Sequence, residues 1–494
     1  MTTQAQSNSA ILNLFNEVEP VQYRYIPTAI PLMDHQVKAV EFVINRKDKR
    51  NTALLALDMG TGKTATAISI CLSAVDAGMS PILVVCPPSM RLQFSREFAR
   101  FAPSLNVQTL EGTMPVKMKL QLPQADVLLC GDTQVKGWLP LLIGNINGII
   151  VDECQRIKDK RAQRSTAILR LATSIPMSGI RIAMSGTPLI ARPTDLIPII
   201  RMLDRQSTFP QGERGFLARY APRIDDFGTR GSQNLKELNQ VLCDSFMLRM
   251  RRDEVLTLPN HGRTVLAVEM DSARAKQYER AEDNLYEWIK TTKGEKKAEN
   301  VWKAEALIRL NELRAIVGRG KIDAVTTYAR ELIEAGEQVF ISTSHTDVMD
   351  AYMTAFADSS PVRIAGGMSD VDKMKSVDAF QSGEARVLVG NVVAASVGLT
   401  LTSGRIHISA ELPWSSTDLT QLEARVSRNG QTRETVSTIM LAGIDGATTI
   451  DERIYALIEH KNRVVESVLD GKTVELVNDD AQSIAMAVLR QYGL

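Results

Sequence analysis

Apolar residues fall along this chain in short unbroken runs, separated by stretches whose apolar positions recur every three to four residues. The runs Ala53 to Leu57, Ile82 to Cys86, Val127 to Cys130, Gly148 to Val151 and Ile182 to Met184 read as strands buried on both faces. The amphipathic stretches between them make parallel βαβ units. Ahead of them, Val37, Val40, Phe42 and Val43 predict a helix over Asp34 to Ile44, with Asp34 as its cap. The pattern fades between Asp204 and Gly320, where a loop-like stretch (Asp225 to Asn234) precedes helical segments around Tyr278 to Lys290 and Ala298 to Ile316. A second βα series follows: Gln338 to Ser342, Val362 to Ala365, Arg386 to Val389, Ile406 to Ser409 and Thr435 to Leu441. The expected architecture is α/β, with two parallel-sheet lobes (31–205 and 320–470) joined by a helical insertion (206–319). An arm (1–30) precedes them, and an amphipathic brace helix (471–494) carrying Ile484, Val488 and Leu489 closes the chain.

Composition narrows the classes. Hydrophobic residues at 44% and charged residues at 23% exclude wholesale disorder. Lys and Arg number 58 against 57 Asp and Glu, so total charge announces no nucleic-acid partner, although cations can still gather on one face. No membrane-length apolar run occurs, and the first basic residue is Arg24, so neither a spanning helix nor a charged leader is expected. The five cysteines form no C-x-x-C pair and the five histidines show no ligand spacing. Buried thiols, a cytoplasmic setting and no structural zinc are expected.

Chemistry enters at Asp58 to Thr64 (DMGTGKT), between the strand ending at Leu57 and the helical run from Ala65. In that setting Gly60 and Gly62 let backbone N–H groups curl around phosphates, Lys63 meets their charge and Thr64 offers a hydroxyl to Mg²⁺. The alternative is a glycine turn without ligand, since the first glycine of the full phosphate-loop pattern is replaced by Leu57. The strand ending at Val151 runs into Asp152 and Glu153. These are either a solvated cap or, paired with the loop, a Mg²⁺ ligand and a water-polarising carboxylate. In the second series Gln421, Arg425 and Arg428 share one helix face. They form either an ion-pair ladder or arginine fingers acting across a cleft.

Together these motifs resemble helicase superfamily two, and within it the SWI/SNF-like DNA translocases, over roughly residues 31 to 470. Leu32 to Val40 is similar to the adenine-reading Q motif, with Gln36 as its glutamine, and DMGTGKT to motif I, with Asp58 where glutamate is usual. Ile82 to Phe98 resembles motif Ia, DECQRIKD from Asp152 motif II, and Ser185 to Pro188 motif III. Phe246 to Pro259 resembles the inter-lobe region, Ala394 to Thr402 motif V of the annealing-helicase (HARP-like) branch, and Gln421 to Gln431 motif VI. The chain departs from the pattern at Cys130-Gly131-Asp132, Val393, Ser396, Ser427 and Asn429.

The resemblance implies RecA-like lobes and ATP held by Gln36, Met59, Gly60, Thr61, Gly62, Lys63, Thr64 and Gln421. It implies Mg²⁺ at Thr64 and Asp152, and catalysis by Lys63, Asp152, Glu153, Arg425 and Arg428. Ser185, Thr187 and Gly398 would couple hydrolysis to motion, while Ser89, Arg91, Ser342 and Thr400 would touch a DNA backbone. The expected protein is a monomeric ATP-driven translocase or helicase on double-stranded or branched DNA, without sequence readout. The nearest alternative is a strand-separating or branch-migrating helicase of the phage UvsW type. A more distant one is a nucleotide-gated phosphate-loop protein that binds no nucleic acid.

Overall fold

The computed structural model describes residues 21–46, 51–190, 192–223, 231–292, 299–396, 399–428, 430–444, 447–472, 488 and 492. Two wholly parallel sheets organise them. The first has seven strands: β1 (Thr52–Leu57), β2 (Ile82–Cys86), β3 (Val107–Thr109), β4 (Val127–Gly131), β5 (Gly148–Asp152), β6 (Ile180–Ser185) and β7 (Met247–Met250). Their order is β3-β4-β2-β5-β6-β1-β7. The second has six: β8 (His261–Glu269), β9 (Val339–Thr343), β10 (Val362–Ile364), β11 (Val387–Asn391), β12 (Ile406–Ser409) and β13 (Thr435–Gly443), ordered β10-β11-β9-β12-β13-β8. Every residue of β1, β2, β4, β5 and β6 is buried, because helices cover both faces. That is why these strands read as unbroken apolar runs.

The segment expected as a helical insertion is not a separate unit. β7 extends the first sheet beside β1, and β8 extends the second beside β13. The helices Ser272–Thr292 and Glu299–Gly320 contribute Tyr278, Leu285, Leu310 and Leu313 to the core of the second lobe. The long helix Ile450–Asp470, expected wholly within the second lobe, bridges both. Ile450, Ile454 and Ile458 pack in the second lobe, whereas Val464, Val465, Val468 and Leu469 pack in the first. Asn239 Nδ2 anchors its end by donating to the carbonyls of Val468 and Leu469 at 2.9 and 2.8 Å.

Most of the expected brace helix lies outside the described residues. Its Val488, together with Tyr492, is buried in the second-lobe core, where Tyr492 donates to Glu282 at 2.6 Å. The start of the first helix also differs from expectation. Asp34 is its first residue, and the N–H of Met33 is satisfied by Gln36 Oε1 at 3.0 Å. Among the described residues no helix is long and apolar enough to cross a membrane.

Candidate active site

The loops that carry the motifs leave the carboxyl ends of β1, β2, β5 and β6, the edge where open parallel sheets bind ligands. After β1 the chain turns through Gly60 and Gly62, at φ 86° and 85°, a left-handed backbone that favours glycine. The turn delivers Lys63 and Thr64 into the first turn of the helix Lys63–Asp76. Lys63 Nζ donates to the Leu57 and Asp58 carbonyls at 3.2 and 3.5 Å. Gln36 and His35 close the loop from outside, each meeting the Thr61 carbonyl, at 3.1 and 2.8 Å. The contact at Gly62 is tight: a Cβ there would stand 2.0 Å from Gln36 Nε2. Gln36, expected to read adenine, is thus held against the phosphate loop in this structure.

Asp152 ends β5 and is buried. Burial first, and then the neighbouring Glu153, push its carboxyl up to about 7, against the opposing charge of Lys63. Its Oδ1 has no hydrogen-bond partner among the described residues. An orphaned buried carboxylate oxygen next to a lysine and a helix N-terminus fits a divalent cation and a polyphosphate. Glu153 takes a left-handed backbone, φ 49°, which costs a non-glycine residue about 1 kcal/mol or more. The turn swings its carboxylate towards the other lobe, where Oε2 accepts from Gln421 Nε2 at 3.3 Å, and from its own neighbour Gln155 at 2.6 Å. In the third loop Ser185 Oγ accepts from the Thr187 N–H at 2.9 Å, leaving Thr187 Oγ1 buried and unpartnered among the described residues.

From the second lobe, the helix Ser416–Val426 presents Gln421 to Glu153. The two arginines behave differently from the expectation of fingers extended across a cleft. Arg425 turns onto its own lobe, donating to the carbonyls of Gln421 (2.9 Å), Leu399 (3.0 Å) and Ser396. Arg428 donates to the Ala424 carbonyl (3.1 Å) and to Thr400 Oγ1 (3.2 Å) while keeping partial exposure. Burial lowers both guanidinium pKa values, that of Arg428 to about 10, and the Glu153 charge works in the opposite direction on each. Gly398 lies outside the described residues.

The four residues expected on a DNA backbone divide. Ser89 and Thr400 line one cavity of about 300 Å³ between the lobes, together with Leu92, Arg96, Lys373 and Leu399. Arg91 is committed to Glu111 Oε2 (3.2 Å) and the Leu110 carbonyl (3.3 Å). Ser342 is a correction. It sits in β9 between β11 and β12, fully buried, with its Oγ bonded to His407 Nε2 at 3.0 Å. A side chain with no exposed surface cannot meet a phosphate.

Residues 35–319 match the SNF2-related domain family, and residues 320–430 match the helicase conserved C-terminal domain. The chain belongs to the SNF2-related family. It is 30% identical over 465 residues to the SWI/SNF-related matrix-associated actin-dependent regulator of chromatin subfamily A-like protein 1 of Xenopus laevis, covering 91% of the chain and 45% of that relative. It is 26% identical to the human DNA annealing helicase and endonuclease ZRANB3, covering 89% of the chain and 40% of the relative. It therefore spans less than half the length of either. Among solved structures, the Sulfolobus solfataricus SWI2/SNF2 ATPase core in complex with dsDNA aligns with 92% of this chain and 95% of its own, at 21% identity and a TM-score of 0.42.

Two residues of the site, Arg249 and Gln155, lie in stretches that resemble motifs but were not singled out there. Arg249 on β7 bonds Asp58 Oδ1 at 2.5 Å and Asp470 at 2.7 Å, so it ties the phosphate loop to the end of the bridging helix. Gln155 orients Glu153. The family-like stretch Phe246 to Pro259 was legible as a motif, but its partners, some 190 residues away in sequence, were not.

Proposed function

We propose that this chain is an ATP-driven translocase that hydrolyses ATP between its two lobes and moves along double-stranded or branched DNA. The observation that carries the reading is the bond between Gln421 and Glu153. It puts the carboxylate that would polarise water in direct contact with the second lobe, so hydrolysis and lobe position become one event.

In this reading the loop Met59 to Thr64 takes the triphosphate and Lys63 meets its charge. Thr64 and Asp152 would hold Mg²⁺, which when bound neutralises phosphate charge. Glu153 draws a proton from the attacking water. Arg428, less enclosed than Arg425, supplies positive charge as the lobes close, while Arg425 stays bonded to the Ser396 and Leu399 carbonyls. Ser89 and Thr400, on opposite walls of the inter-lobe cavity, would grip the same backbone in turn. Arg91 would join them only by exchanging Glu111 for phosphate.

A second reading, remodelling of forks and junctions, is favoured by the likeness to an annealing helicase and by the motif V resemblance. Displacement assays on blunt duplex, tailed duplex, forked and four-way DNA separate the two. Duplex translocation without unwinding of the tailed duplex supports the first reading. Selective action on forks and junctions supports the second, and robust unwinding of plain tailed duplex counts against pure translocation.

A further inference from the structure

The charged residues that ATP chemistry leaves unused converge on the turn after β7. Arg252 opens the short helix Arg252–Val255. Its backbone N–H donates to Asp58 Oδ2 at 3.0 Å, while Asp58 Oδ1 takes Arg249. Both oxygens of the carboxylate at the mouth of the phosphate loop are therefore spent on this turn. The Arg252 guanidinium then crosses to the second lobe, where its NH1 donates to the Ser427 carbonyl at 2.9 Å and to Ser427 Oγ at 3.0 Å. Ser427 lies between Arg425 and Arg428. A small cavity of about 150 Å³, lined by Asp58, Gly186, Thr187, Arg252, Thr420 and Glu423, flanks the connection.

Two hydrogen-bonded links thus lead from the phosphate loop to the segment that carries the arginines: Asp58 fixes the Arg252 backbone, and the Arg252 side chain fixes Ser427, the chain neighbour of Arg428. Charge-assisted bonds from a planar guanidinium constrain position as well as distance. We propose that Arg252 is a positioning residue for ATP hydrolysis, a clamp that sets Arg428 relative to Glu153 and transmits the state of the phosphate loop to the second lobe. The inference rests on the ATPase reading above but not on DNA being the track.

Loss of the clamp leaves the phosphate loop and its nucleotide contacts in place and lets the arginine segment drift. A misplacement of about 1 Å can cost on the order of 100-fold in rate, so the effect falls on kcat rather than on KM. Lysine retains a charge and a donor for the Ser427 carbonyl. The test is steady-state ATP hydrolysis by the full chain, with and without duplex DNA, for wild type, Arg252→Ala and Arg252→Lys, with melting temperatures measured alongside. The expected result is a kcat lowered roughly 10- to 100-fold in Arg252→Ala, a KM for ATP within about two-fold of wild type, and recovery of most of the loss in Arg252→Lys. The clamp is overturned if Arg252→Ala keeps the wild-type kcat, if the loss lies in KM, or if lysine restores nothing. If the alanine variant does not fold, Arg252→Gln replaces it under the same criteria. Wild-type hydrolysis that ignores DNA would reject the translocase reading alone, because the DNA-free rates still judge the clamp.

Discussion

Glu411 shows how a single residue can organise a loop. It is almost fully buried, yet it accepts from the N–H groups of Ser344 (2.8 Å) and His345 (3.0 Å), from the Thr343 hydroxyl and from His345 Nδ1 (2.5 Å). Burial raises its carboxyl pKa, but the His345 ring and the other donors outweigh burial and hold it at about 2, below its ordinary 4.5. A folded pKa below the unfolded one gives stability that is present above about 4.5 and lost as pH falls towards 2, here about 3 kcal/mol. Denaturant midpoints measured across that window should fall more steeply for wild type than for Glu411→Gln, which should also be the less stable at pH 7. None of this was legible in the sequence, where Glu411 precedes Leu412 and Pro413 without any motif. Ser342 misleads for the same reason: its type matched a backbone-binding role, and only its complete burial and its bond to His407 reveal that it faces inward. Lys63, Asp152 and Glu153, by contrast, follow strands whose apolar runs fix where they end, so their convergence could be anticipated.

Among elements, the fully buried strands were legible because burial on both faces leaves an uninterrupted apolar signature. β3, β7 and β8 were not. β3 has three half-exposed or exposed residues, β7 carries Arg249 in its middle, and β8 is an edge strand with most side chains facing solvent. Those short or polar edge strands made the middle of the chain read as a helical insertion. The helix Ile450–Asp470 changes lobe partway along, a change that nothing in its sequence marks. Leu469, buried in the first-lobe core, is the element's anchor there. Leu469→Ala should cost about 2–5 kcal/mol, read as a lowered denaturant midpoint. The first sheet should open before the second, which tryptophan fluorescence resolves, because Trp138 packs in the first core and Trp288 and Trp414 against the second.

For the whole molecule, a near balance of 58 basic and 57 acidic residues leaves any grip on a nucleic-acid backbone to the local placement of cations rather than to total charge. Arg96, Arg100 and Lys373 line the cavity shared by Ser89 and Thr400 beside Glu97 and Asp370, which pair with Arg100 at 3.0 Å and with Lys373 at 3.9 Å; other cations are held in ion pairs such as Arg249 with Asp470 and Arg263 with Glu423. In the proposed function the two lobes act as one DNA-responsive ATPase. Its most direct test is the steady-state rate of ATP hydrolysis without DNA and with single-stranded, duplex, forked and four-way DNA, using Lys63→Ala and Glu153→Gln as controls. Duplex or branched DNA should raise the rate about 10-fold or more, and both variants should lose on the order of 100-fold or more, the size expected when a group acting on the transition state is removed. A rate that is unchanged by every DNA, or that survives Glu153→Gln, would contradict it.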